Sequence, residues 1–217
     1  EISKAHHGVL FLDELPEYRR DVLEALRQPM EDGTVTVTRV SAQSTYPAQF
    51  VLVCAMNPCP CGHYGSRTHE CRCTPRQIQQ YLNRVSGPLL DRIDLHIEVE
   101  SVPVGDLTGK RGEEDSASIR ARVEKARAVQ RERYRGRAIA CNARLDARTL
   151  NAFCPMTAAA EQLIKTAGER LGLSSRAYTR VIKVARTIAD LAGSEKIDAA
   201  HVAEAVQYRS LDRKYWT

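Results

Sequence analysis

No stretch of this 217-residue chain approaches the roughly 20 consecutive apolar residues that a membrane-spanning helix requires. The opening residues Glu1-Ile2-Ser3-Lys4 lack the apolar core of an export signal. Charge of one sign is in short supply as well. The 32 Lys and Arg stand against 27 Asp and Glu, a net charge of +5, and no basic tail stands out. That balance permits nucleic-acid binding without demanding it. Aromatic residues are few, with a single Trp and three Phe, and the overall composition is that of a soluble globular protein. Cysteine is the exception to this scarcity. There are seven, an odd number for a disulfide framework, and five of them fall between Cys54 and Cys73. With no export signal, the expected compartment is the reducing cytoplasm, where clustered thiols bind metal more often than they pair.

The chain is long enough for one large domain or two ordinary ones. Its first clear element is "GVLFLDELPE", residues 8–17, in which Val9, Leu10, Phe11 and Leu12 are consecutive apolar residues ended by two carboxylates. Such a run fits a strand buried on both faces of a parallel sheet. Acids at its C-terminal end then point into the crevice where open α/β sheets bind ligands. A helix is expected from Pro16 to about Glu31 with Val22, Leu23, Leu26 and Met30 inward, followed by an Asp32-Gly33 turn. Residues 34–40 alternate as a half-exposed strand does. A second apolar strand, 50–56, runs into Asn57-Pro58, and a Cys-rich loop spans 59–73. A helix over 75–85 and a third strand over 93–99 complete the first part.

Beyond "PVGDLTGKRGEEDS" nothing alternates like a strand. Helices are expected over 117–135, 146–153, 157–171 and 175–191, the last with Tyr178, Val181, Ile182, Ala185, Ile188, Ala189 and Ala192 on one face. A final helix is capped by Asp198. The organisation expected is a partial α/β sheet domain over 1–105 and a linker with a small all-α domain over 106–217.

Two apolar strands ending in Asp13-Glu14 and in Asn57 suit nucleotide hydrolysis. There an Asp holds Mg²⁺ through its water shell, a neighbouring acid activates the attacking water, and a polar tip on the adjacent strand fixes that water. In this order and spacing the segments resemble motifs of the AAA+ ATPases. "GVLFLDE" is similar to the Walker B strand, "AMNP" to sensor 1, "PLLDRIDL" to the arginine-finger segment and "SSRAYTRVIKVARTIADL" to the sensor 2 helix of the lid. "NPCPCG", "CRCTP" and "SGPLLDRIDLHIEV" narrow the likeness to the magnesium-chelatase-related ATPases of the competence (ComM/YifB) type. The resemblance runs from residue 8 to about 210. It implies a partial P-loop-type AAA+ core and a helical lid, with ATP and Mg²⁺ as cofactors. Asp13 would bind Mg²⁺–ATP, Glu14 would be the catalytic base, Asn57 sensor 1, Arg92 the finger entering a neighbouring subunit's site, and Arg176 sensor 2. Arg180, one turn on, competes with Arg176 for that role.

The phosphate-cradling loop G-x-x-x-x-G-K-[ST] is missing. "GDLTGKR", residues 105–111, is one residue short between its glycines and places Arg111 where a hydroxyl belongs. The family places this loop before the Walker B strand, hence upstream of residue 1, and this chain alone is expected not to hydrolyse ATP.

Two insertions remain. "GTVTVTRVSAQSTYPAQF" resembles a β-hairpin that in this branch projects toward the pore of the ring. Arg39 near its tip is either a DNA-backbone contact or an ordinary solvated cation. "CPCGHYGSRTHECRC" brings two close pairs, Cys59/Cys61 and Cys71/Cys73, into one loop. Structural Zn²⁺, free or redox-active thiols, and an iron–sulfur cluster are the three readings, with His63 and His69 as substitute ligands. Cys54, Cys141 and Cys154 are expected to be structural, and the Arg-rich helix 117–135 to be a solvated face or subunit contact. The family implies a homo-oligomeric ring, a hexamer, working as a DNA branch-migration motor in recombination during DNA uptake, without a membrane. The rival readings are a metal-chelatase motor subunit, a transcription-activating or protein-remodelling ATPase, and a zinc-knuckle binding module on a dead ATPase scaffold.

Overall fold

A computed structural model describes residues 1–39, 42–66, 68–99 and 114–209. The hairpin tip at 40–41, the linker segment 106–113 and the terminal "LDRKYWT" lie outside the described residues. The chain divides into two compact units, Glu1–Ile93 and a second beginning at Asp94. None of the helices described is long and apolar enough to cross a membrane.

The first unit is organised by two parallel strands. β1 (Val9–Leu12) pairs with β4 (Val51–Cys54) in the register Val9↔Val51 to Leu12↔Cys54. Between them come a 3-10 turn over Leu15–Glu17, helices α1 (Arg20–Ala25) and α2 (Arg27–Asp32), and the antiparallel hairpin of β2 (Thr34–Arg39) and β3 (Ala42–Pro47). Helices α3 (Pro75–Leu82) and α4 (Gly87–Leu90) follow. Leu15, Leu23, Leu26, Val85, Leu89 and Leu90 form the core, with Leu10, Leu12, Cys54 and Met56 packed on it from the sheet.

Three expectations change here. The helix drawn over 16–31 is a 3-10 turn and two short helices meeting at Leu26. Pro29 has no amide to give the Ala25 carbonyl and its ring crowds that carbonyl, so one continuous helix cannot pass. Val22 faces outward, 48 % exposed. The apolar run of β1 is covered on one face only among the described residues. Val9, Phe11 and Val51 are each about 60 % exposed on the other face. Residues 93–99 run as irregular chain with no strand ladder among the described residues, the His96 amide donating to the Tyr208 carbonyl at 2.8 Å. The Asp32-Gly33 turn forms as expected. Gly33 takes φ 67°, and its N–H caps the Pro29 carbonyl at 2.9 Å.

The second unit is all helical: α5 (Ser116–Arg133), α6 (Leu150–Phe153), α7 (Ala158–Leu171), α8 (Ser175–Leu191) and α9 (Ala199–Gln207). The helix expected from 146 begins only at Leu150, because Asp146 and Thr149 bond each other in a preceding turn. α8 is the spine of this unit. Val181, Ile182, Ala185 and Ala189 lie in its core with Ile164 of α7 and Val202 of α9, while Ala192 falls at the exposed C-cap. On the same helix Arg186 and Asp190 are buried side by side, Nε to Oδ1 at 3.1 Å. Asp190 also takes hydrogen bonds from Arg133 of α5 at 2.9 Å and from Asn142 at 2.8 Å. Arg186 donates to the carbonyls of Ser194 and Glu195 at 2.6 and 2.7 Å and so ties off the chain after α8.

Burial works against the charged form of Asp190. The hydrogen bonds from Arg133 and Asn142 and the charge of Arg186 outweigh it and hold the carboxyl below the ordinary range. A folded-state pKa below the unfolded one means this stabilisation is complete above the unfolded carboxylate range, about 4, and is lost as pH falls through the lowered value. Asp190→Ala should leave the buried Arg186 and the half-buried Arg133 short of a partner and cost the helical unit about 3–5 kcal/mol at neutral pH, less in acid. Denaturant unfolding, with hydrogen exchange along α8, measures this.

Candidate functional site at the tips of the parallel strands

The ladder between β1 and β4 continues past both strands. The Ala55 amide donates to the Leu12 carbonyl at 2.9 Å and the Leu15 amide to the Ala55 carbonyl at 3.0 Å. Asp13 and Glu14 are therefore held across from Ala55, two residues before Asn57 along the same sheet edge. All three of Asp13, Glu14 and Asn57 are exposed, whereas Leu15 beside them is buried. Glu14 makes this possible by its backbone. It sits at φ 51°, ψ 47°, one of two non-glycine residues with positive φ among those described. That left-handed residue ends the strand at once, sending Leu15 into the core and the Glu14 carboxylate outward. Its cost is about 1–3 kcal/mol, held by the ladder on either side. The Glu14 amide donates to Asp13 Oδ1 at 2.9 Å and steadies that carboxylate. An exposed, paired set of carboxylates at the end of an apolar strand fits a hydrated Mg²⁺ and a water to be deprotonated.

Asn57 has α3 on one side and the Cys-rich loop on the other. Its backbone lies close to the hydroxyl of Tyr81 on α3 and offsets part of the upward pKa shift that burial gives that group. An ideal Cβ on Gly62 would lie 3.9 Å from Asn57 Oδ1, an ordinary van der Waals distance, so the Cys-rich loop passes near the carboxamide. Tyr81 went unnoticed in the sequence. It stands in an ordinary amphipathic helix, and only the fold brings it to the strand tip.

Arg92 is placed differently from a projecting cation. It is 6 % exposed, and its guanidinium donates to the Pro88 carbonyl at 2.6 Å and pairs with Glu31 at 3.0 Å. Glu31 is the penultimate residue of α2, three positions before the hairpin begins, and its link to Arg92 is invisible in sequence because the two residues are 61 positions apart. Arg176 and Arg180 belong to the second unit. Arg180 pairs with Asp94, while Arg176 stands on the exposed first turn of α8.

The thiols behave as two classes. Cys54 and Cys154 are packed in the two cores, and burial pushes each to about 11, as suits inert structural thiols. Cys59, Cys61, Cys71 and Cys73 converge, their sulfurs all within 4.8 Å of one another. Gly62 and Gly65, at φ 80° and 79°, supply the tight turns between them. Backbone N–H groups of His63 and Arg72 hold Cys61 down at about 6, whereas loss of hydration pushes Cys73 up to about 12. Four thiolates this close repel one another, and a divalent cation removes that penalty. His63 and His69 stack on each other, ring centroids 4.9 Å apart, outside the thiol set. The hairpin is exposed along nearly all of its length, with Thr36 and Thr45 joined across it at 3.0 Å and Arg39 exposed next to the tip.

Residues 1–107 match the family described as magnesium chelatase, subunit ChlI, and residues 113–209 match its C-terminal family. The competence protein ComM of Haemophilus influenzae is 50 % identical over 98 % of this chain and 41 % of its own length. An uncharacterized protein YifB of Escherichia coli is 48 % identical over the same shares. An uncharacterized protein of Mycobacterium bovis is 38 % identical over 96 % of this chain and 41 % of its own. The chain thus spans about two fifths of the length of the curated relatives it matches. With both family descriptions matched in order along the chain, it belongs to the magnesium-chelatase-related AAA+ ATPases of the ComM/YifB type.

Proposed function

We propose that the complete protein is an ATP-hydrolysing ring motor that acts on branched DNA during recombination of incoming DNA, and that this chain carries the hydrolytic half of its site and the lid. The carrying observation is the parallel register that sets Asp13, Glu14 and Asn57 on one exposed sheet edge. In this reading Asp13 holds the water shell of Mg²⁺ bound to ATP, which supplies an activated γ-phosphoryl group. Glu14 takes the proton of the attacking water, and the Asn57 carboxamide orients that water. Arg92 acts on the neighbouring subunit's nucleotide in a hexameric ring, which requires its pair with Glu31 to open. Arg176 serves as sensor 2 from the exposed first turn of α8. Zn²⁺ occupies the four-thiolate cluster as a structural ion. The bare apolar face of Val9, Phe11, Val51 and Val53 suits burial against the nucleotide-binding part of the complete protein.

The DNA assignment rests on the exposed hairpin with Arg39 near its tip and on the competence role carried in the name of one relative. Phosphate contacts by such a hairpin supply affinity without sequence preference. ATP turnover by the complete protein should rise several-fold with branched DNA, and Arg39→Ala should weaken that stimulation while sparing basal turnover. Turnover indifferent to DNA in both proteins would move the assignment to a chelatase-like or protein-remodelling motor.

The two roles open to Arg92 separate experimentally. If Arg92 works on the phosphoryl group, Arg92→Ala should lower turnover by about 10³-fold or more with ATP affinity kept. Glu31→Ala should then lower the melting temperature more than the turnover. A purely internal strut would make both variants lose stability and activity in proportion.

A further inference from the structure

We propose that the four-cysteine site is a mononuclear zinc clamp that fixes the tip of β4, so that the metal determines where Asn57 stands. The inference rests on the reading of Asn57 given above and deepens it.

The sulfur geometry selects the ion. Cys59 and Cys61 sulfurs are 3.4 Å apart, Cys61 and Cys71 3.6 Å, and Cys59 and Cys71 3.7 Å. A tetrahedron with Zn–S bonds of about 2.3 Å has edges of about 3.8 Å, close to all three separations. A disulfide needs sulfurs at about 2.05 Å, and all four thiols are free. An iron–sulfur cluster holds its cysteines on different irons and would spread the sulfurs farther apart. Mg²⁺ and Ca²⁺ take oxygen ligands, so four thiolates around one centre point to Zn²⁺.

The position of the site gives the ion its second task. Cys59 follows Asn57 by two residues, and Cys73 directly precedes Thr74, the N-cap of α3. Thr74 Oγ1 accepts from the Gln77 amide at 3.3 Å and Gln77 Oε1 from the Thr74 amide at 2.8 Å, a complete capping box that starts the helix right after the last ligand. α3 in turn carries Tyr81 close to the Asn57 backbone. One ion therefore joins the end of β4 to the start of the helix that lies beside Asn57. Within the loop, Gly62 passes near the carboxamide in a conformation that L side chains rarely adopt, and the Tyr64 amide donates to Cys59 Sγ at 3.4 Å. The loop has almost no apolar core of its own. Among its described residues Cys59 alone is fully buried, so the ligand bonds must supply the order that packing does not.

The complete protein, purified without chelator, should carry about one zinc ion per chain. Releasing it with a thiol-directed mercurial should speed amide exchange by about tenfold or more at Asn57, Gly62 and the first turn of α3, while β1 and β4 keep their protection. The stripped protein should lose kcat with little change in KM for ATP, as Asn57→Ala should, and Zn²⁺ added back after thiol regeneration should restore both readings. Absence of stoichiometric zinc overturns the metal assignment. Zinc that leaves with exchange at Asn57 unchanged overturns the clamp. If Asn57→Ala turns ATP over normally, the sensor reading falls, and the exchange measurement still decides the clamp on its own.

Discussion

The parallel pairing of β1 with β4 is the constraint from which the rest of the first unit follows. Four residue pairs, Val9↔Val51 through Leu12↔Cys54, set the register, and one more ladder step on each side carries it to Leu15 and Ala55. A slip by one residue would exchange the two faces of each strand. Leu10, Leu12 and Cys54 would leave the core, and the carboxylates would no longer stand beside the strand that ends in Asn57. Hydrophobic burial on one face thus positions polar chemistry at the end, and the left-handed Glu14 is where one gives way to the other. The strain at that residue is tolerable because the Leu12 carbonyl before it and the Leu15 amide after it are both bonded to Ala55.

The hairpin between these strands and the loop after them each lead to a residue of the candidate set. The hairpin leaves from α2, whose Glu31 pairs with Arg92. The thiol loop follows β4 and returns through the capping box of α3, which carries Tyr81 close to the Asn57 backbone. In the helical unit the equivalent organising element is Asp190, on which Arg133, Asn142 and Arg186 converge. It joins α5 to α8 and anchors the turn beyond, so the unit depends on a buried ion network as well as on its apolar face.

The parts legible in sequence were those written in local chemistry. Consecutive apolar residues marked β1 and β4, alternation marked the hairpin, Asp-Gly marked a turn, and the paired cysteines marked a loop that closes on itself. The Cys-rich loop was open to three readings because spacing does not report distance, and the 3.4–3.7 Å separations do. What escaped depended on partners far along the chain. Residues 93–99 have strand composition, yet a strand exists only where a neighbouring edge accepts it, and composition cannot supply the neighbour. Pro29 splits a helix whose apolar periodicity runs straight through it. Arg92 reads as a projecting cation until Glu31 is found beside it. The charges of Arg186 and Asp190 interrupted what looked like a purely apolar face, and only the network around them explains their burial.

The most direct test of the strand-tip site is ATP retention and turnover by the complete protein carrying Glu14→Gln. The change keeps the shape of the side chain and removes its ability to take a proton from water. ATP should still bind, and turnover should fall by about a hundredfold or more. Turnover at the unsubstituted rate would contradict the site, because hydrolysis would then owe nothing to the carboxylate that the β1–β4 register holds in place.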